Sequence, residues 1–130
     1  MSTPDADEGE RQRILVVDDN RDAADTLAML LEFLRYEVRT AYDGRQAVDL
    51  AASFKPQLVI LDINMPVMDG YEAARILRGK SNSPRMVLVA LTAVTSQDAQ
   101  ARAREAGFDL HLAKPVDGGE LTGLIERMLH

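Results

Sequence analysis

Four short apolar runs in this sequence end in side chains that could work together. Ile14-Leu15-Val16-Val17 runs into Asp18-Asp19, and Leu58-Val59-Ile60-Leu61 runs into Asp62. Met86 to Leu91 is closed by Thr92, and Leu110 to Ala113 is followed by Lys114-Pro115. Three carboxylates drawn close together repel one another. They are tolerated only if a cation shares the site or if their pKa values rise. All-oxygen ligation suits Mg²⁺, which takes one or two carboxylates and keeps positions for water and phosphate oxygens. Lys114 adds a positive charge and Thr92 a hydroxyl donor. Such a set can hold a phosphoryl group. The chemistry has two forms. Either the carboxylates only hold metal while a substrate phosphate is hydrolysed, or one Asp is itself the nucleophile and becomes an aspartyl phosphate. Asp62 is the best nucleophile, since it ends a continuous apolar strand and leads into a Pro- and Gly-bearing loop. The two histidines, His111 and His130, suggest no Ser–His or Cys–His alternative.

The elements that must position these residues follow from periodicity. Continuous β-branched-rich runs read as strands covered on both faces. Glu37 to Ala41 adds a fifth short strand. Between strands the apolar spacing turns helical. Leu27, Leu30, Leu31 and Leu34 form one stripe, and Ala47, Val48, Ala51 and Ala52 a second, stopped by Pro56. Residues 71–78 read as a third helix, with 79–84 as a loop. Residues 96–106 form an Ala-rich polar helix ended by Gly107. Leu121, Leu124, Ile125, Met128 and Leu129 make the clearest stripe. Asp43-Gly44 and Asp69-Gly70 read as turns, the latter opening a helix. Met65 and Met68 flank the site and pack against or shade it.

Alternating strands and helices predict an α/β fold with a parallel sheet and helices on both faces. Five such units are too few for an eight-fold barrel, so the sheet is open and doubly wound. Ligands in such sheets bind beyond the carboxyl ends of the strands, where strand order reverses.

Composition sets the outer bounds. A chain of 130 residues is one domain. It has no Cys, which removes disulfides, thiolate nucleophiles and Cys-ligated metals. A net charge of -6 argues against a phosphate-neutralising surface, so no nucleic acid is expected as a direct partner. The start, MSTPDADEGE, lacks the basic and apolar regions of a signal peptide. No apolar stretch approaches the roughly twenty residues of a membrane span. The expectation is a cytoplasmic protein with an acidic solubilising tail over 1–12 and one domain over 13–130, without membrane contact.

The stretches ILVVDDN, LVILDINMPVMDGYE, LTA and AGFDLHLAKPVD match, in order and spacing, the receiver domain of two-component response regulators. The resemblance covers residues 13–130. It implies the flavodoxin-like (βα)5 sheet with strand order 2-1-3-4-5. It implies Asp62 as phosphoacceptor, taking its phosphoryl group from a phosphohistidine on a sensor histidine kinase or histidine phosphotransfer protein. Asp19 would ligate Mg²⁺ directly, Asp18 mainly through water, and the backbone carbonyl of Asn64 would complete the protein ligands with Asp62. Mn²⁺ would be able to substitute. Thr92 and the backbone N–H of Ala93 would bind phosphoryl oxygens, Lys114 would pair with them, and the Lys114-Pro115 bond would be cis. Output would pass by protein contact through the fourth helix, fifth strand and fifth helix. Because the chain stops after the fifth helix, no DNA-binding or enzymatic output segment is expected, nor turnover of a free metabolite. Asn64 and Val94 lie where the family tunes the lifetime of the phosphorylated state.

One position departs from the family pattern. Three residues before Lys114 the family most often has Tyr or Phe, an aromatic that turns inward on activation. Here it is His111, expected to be partly exposed and to give a weakly coupled or pH-sensitive output. Two rival readings remain. A Mg²⁺-dependent aspartyl-nucleophile phosphatase would need a general acid where Asn64 stands and a cap that this length does not provide. A flavodoxin-like cofactor binder would need a phosphate-cradling loop where Asp18-Asp19-Asn20 would repel phosphate.

Overall fold

The computed structural model describes residues 11–65, 68–80, 86–93 and 96–129. The expectations for the acidic segment 1–10, Pro66, the connection 81–85, Val94 and His130 lie outside the described residues. The strands are β1 (Arg13–Val17), β2 (Glu37–Ala41), β3 (Leu58–Asp62), β4 (Val87–Thr92) and β5 (Leu110–Ala113). The helices are α1 (Arg21–Phe33), α2 (Gly44–Phe54), α3 (Gly70–Lys80), α4 (Gln97–Ala106) and α5 (Gly118–Leu129). All strand pairs are parallel, in the order β2-β1-β3-β4-β5. The chain therefore leaves β1 toward β2 on one side and returns to β3 on the other. That reversal opens a crevice between the ends of β1 and β3.

Strand alternation divides the core between the two faces of the sheet. Leu15, Val17, Val59, Leu61, Leu88 and Ala90 pack under α2, α3 and α4. Ile14, Val16, Leu58, Ile60, Val87, Val89, Leu91 and Leu112 pack under α1 and α5. Apart from Arg13 at the start of β1 and the site residues Asp62 and Thr92 at the ends of β3 and β4, these three strands are apolar because both of their faces are covered. Gln12, assigned above to the tail, is tied to the fold. Its carbonyl accepts from Glu37 N–H at 3.0 Å, and its Nε2 donates to the Leu129 carbonyl at 2.8 Å.

The helical boundaries correct several expectations. The α1 residues that meet the sheet are Ala24, Ala28 and Leu31, whereas Leu34 caps the helix and is 40% exposed. Small alanines let the helix approach the sheet, so that of the leucine stripe only Leu31 is fully buried and Leu27 and Leu30 lie half-buried at its flank. α2 ends at Phe54, before Pro56. Lys55 takes the left-handed conformation there, with its N–H on the Ala51 carbonyl, since the residue before proline is disfavoured in a right-handed helix. Ala52 is exposed rather than part of the buried stripe. α3 starts at Gly70 and continues through Gly79 to Lys80, so the loop expected from 79 begins later. Buried Leu77 and the anchored Arg78 hold that last turn despite the unfavourable glycine. No helix among the described residues is long and apolar enough to cross a membrane.

Candidate active site

The three carboxylates meet at the crevice. Ligand oxygens of Asp18, Asp19 and Asp62 lie within 4.8 Å of one another. Asp18 continues β1, and its N–H donates to the Ala41 carbonyl at 3.2 Å. Its Oδ1 accepts from Asn20 N–H at 3.0 Å, while the Asn20 side chain caps α1. Asp18 and Asp62 are 4% and 1% exposed, but Asp19 faces solvent. Two buried carboxylates with one open neighbour form a hard-oxygen donor set with room for water, which fits Mg²⁺.

Lys114 closes the cluster from β5. Its Nζ lies 3.0 Å from Asp62 Oδ1 and 3.7 Å from Asp18 Oδ2. Its backbone N–H donates to the Thr92 carbonyl at 3.0 Å, and the Lys114-Pro115 bond is cis. Thr92, buried at the last residue of β4, pairs in register with Ala113. Asn64 and Ala93 are exposed beside the cluster, and Asn64 N–H donates to Asp62 Oδ1 at 3.1 Å. The structure thus gathers Asp18, Asp19, Asp62, Asn64, Thr92, Ala93 and Lys114 at one end of the sheet. His111 lies further back, mid-strand and half-buried, opposite Ala90. Leu110 and Leu112 face the α1/α5 side, so His111 projects toward the α4 side.

Among the described residues, three carboxylates share a single ammonium, so negative charge is in excess at the site. Asp62 has its pKa raised to about 6, mainly because burial penalises its charge and also because Asp18 repels it. The Lys114 ammonium and Asn64 N–H pull the other way without fully compensating. A further positive bias comes from the helix ends. Asn20, Asp43, Ser96, Asp69 and Asp117 accept backbone N–H bonds in the first turns of α1, α2, α4, α3 and α5, so all five helices open on this face.

Two glycines read only as turn residues in the sequence shape the site. A Cβ on Gly70 would stand 2.5 Å from the Asp62 carbonyl oxygen and 2.6 Å from Ile63 Cα. Only glycine lets α3 start directly on the backbone of the central carboxylate, where Gly70 N–H donates to the Ile63 carbonyl at 2.9 Å. A Cβ on Gly44 would stand 2.7 Å from the Met68 carbonyl oxygen. The available signal was a glycine at the first position of a helix, where propensity alone disfavours it. Met65 is buried in the core, and Met68 packs half-buried against it.

Comparison with known proteins agrees with this geometry. Residues 14–126 match the model of the response regulator receiver domain. The response regulator MprA of Mycolicibacterium vanbaalenii is 41% identical over 117 residues, covering 90% of this chain and 50% of that protein. The chain spans about half the length of the curated relatives it matches. Among solved structures, the chemotaxis protein CheY4 of Vibrio cholerae superposes with a TM-score of 0.87 at 31% identity, covering 92% of this chain and 99% of that one. The receiver domain of a sensor histidine kinase from Pseudomonas aeruginosa, with magnesium coordinated in its active-site cleft, does so with a TM-score of 0.82 at 35% identity, covering 91% and 97%. The matched segment holds the sheet from the second residue of β1 onward, the three carboxylates and Lys114, and the chain belongs to the response regulator receiver domain family of two-component signalling.

Proposed function

We propose that this domain accepts a phosphoryl group on Asp62 from a phosphohistidine of a sensor kinase or histidine phosphotransfer protein. The observation that carries the reading is the placement of Lys114 Nζ 3.0 Å from Asp62 Oδ1 within a three-carboxylate cluster. An Asp62 oxygen attacks phosphorus, and an O–P bond forms as the N–P bond to histidine breaks. The imidazole keeps the electron pair and takes a proton. Hydrolysis by water later returns the carboxylate and inorganic phosphate. Asp18, Asp19, Asp62 and the Asn64 carbonyl would hold Mg²⁺, or Mn²⁺ in its place. The metal supplies charge neutralisation at the phosphoryl oxygens. Lys114, Thr92 and the N–H of Ala93 surround the remaining oxygens. The domain is a signalling phosphoacceptor that acts in the cytoplasm. It signals by protein contact through α4, β5 and α5 and contacts neither nucleic acid nor membrane itself.

The added phosphoryl group brings nearly two negative charges to a buried strand end. Thr92 and Lys114 are the nearest groups able to respond, and their chains lead into α4 and α5. The test is a backbone NMR spectrum with Mg²⁺ and beryllofluoride or acetyl phosphate. Resonances near residues 62, 92 and 114 move, and Asp62→Asn abolishes the change. Steady hydrolysis of phosphate esters without an aspartyl adduct would overturn the reading.

A further inference from the structure

α4 is held by unlike contacts at its two ends. Its buried residues are Ala103 and Ala106, and none of the residues 97–102 is buried. With so little apolar area removed from water, its first half costs little to displace. The C-terminal end is fixed by directional bonds from α3. Arg78 Nε and one terminal nitrogen donate to the Gly107 carbonyl at 3.2 and 2.7 Å. The other terminal nitrogen donates to the Met86 carbonyl at 2.7 Å, and Asp109 pairs with the fork at 2.8 Å. Midway along α4 the contact is different. The Arg102 guanidinium carbon lies 4.3 Å from the centroid of the Tyr71 ring. A guanidinium over a ring face is attracted without a fixed bonding direction, so it can slide.

Tyr71 is placed to sense the site. It is 7% exposed, packed in the core under α4, and follows Gly70, which rests on the Asp62 and Ile63 backbone. A continuous line of contact therefore runs from the backbone of Asp62 and Ile63 through the start of α3 to the middle of α4. We propose that the Arg102–Tyr71 stack sets the resting position of α4, and that modification of Asp62 reaches α4 through it. The inference rests on the phosphoacceptor reading above. α4 pivots on its Arg78-bound end, and the stack opposes displacement of the first half. Arg102 is a positioning residue and touches no reacting atom.

Removing the stack favours the displaced position of α4 by about two- to five-fold, the worth of one exposed cation–π contact. Arg102 is exposed, so Arg102→Ala leaves the core intact. Backbone NMR of the full chain with Mg²⁺, with and without beryllofluoride, reads the outcome. Without beryllofluoride, Arg102→Ala moves the amide resonances of 97–106 part of the way toward their wild-type beryllofluoride positions. Arg102→Lys restores most of the wild-type spectrum. Arg104→Ala, at another exposed arginine of the same helix, leaves it unmoved. Changes confined to the neighbours of residue 102, or an equal effect from Arg104→Ala, overturn the inference. Should wild type respond around 62 and 114 while Arg102→Ala leaves α4 in place, the inference alone falls. Should wild type respond nowhere, the phosphoacceptor reading falls and takes the inference with it.

Discussion

Replacing Asp62 by Asn tests the electrostatic account of the site independently of any phosphoryl transfer. In the folded protein the Asp62 pKa is raised from 3.8 to about 6, with burial the largest cause. The folded state therefore binds this proton more tightly than the unfolded state. The resulting stability is fully present below pH 3.8 and is lost as pH rises through about 6. At 1.36 kcal/mol for each pH unit, the ionised carboxylate costs about 3 kcal/mol in neutral metal-free buffer. Asparagine has similar shape and cannot ionise. Between pH 4.5 and 7.5, the stability of Asp62→Asn relative to wild type therefore rises by about 2 kcal/mol. Urea unfolding in a chelator measures this, and at a typical slope the relative midpoint moves by about 1 M. Titrating groups remote from the site cancel between the two proteins, whereas Asp18 and Lys114 interact with Asp62 and respond to its replacement. Mg²⁺ then stabilises wild type more than the variant, because binding to the folded state adds to its stability. If the two proteins differ by the same amount at both pH values, burial and repulsion at Asp62 are not the cause assigned here.

Two further predictions concern the backbone. Gly70→Ala forces a methyl onto the Asp62 carbonyl. It costs about 3 kcal/mol in urea unfolding, at the upper end of overpacking losses, and weakens Mg²⁺ binding by calorimetry; an unchanged stability would show that α3 can lift away freely. Arg35, just after α1, is held at φ 75°, in the region that favours glycine. Arg35→Gly there raises stability by up to about 1 kcal/mol by thermal unfolding, and a loss of stability would mean that its side chain contributes more than its strained backbone costs.

Much of the fold and site was legible because it follows from local pattern. Doubly covered strands are apolar runs, and residues that end such runs in a parallel sheet must gather at one edge. Asp18, Asp19, Asp62, Thr92 and Lys114 could therefore be placed together from sequence spacing. The errors came where a neighbour in space decides. Leucines outweigh alanines in any hydrophobic stripe, yet Ala24 and Ala28 face the sheet because the helix must lie close to it. Gly79 resembles a loop residue, but buried Leu77 and anchored Arg78 keep the helix going to Lys80. Asp69-Gly70 resembles any turn, and its glycine is required only because Asp62 backbone lies against it.

The sequence by itself determined the fold class, the parallel sheet and the identity of the clustered groups, since apolar period and strand-end chemistry are properties of the chain. Tertiary structure decided the distances. Lys114 is 52 positions from Asp62 in sequence and 3.0 Å from it in space, a separation set by β3, β4 and β5 lying side by side. It also decided that Asp62 is buried and Asp19 open, which makes the one carboxylate hard to ionise while leaving the other facing water. The stacking of Arg102 on Tyr71 had no signal in the sequence, because it joins two helices whose relative position only the packed sheet fixes.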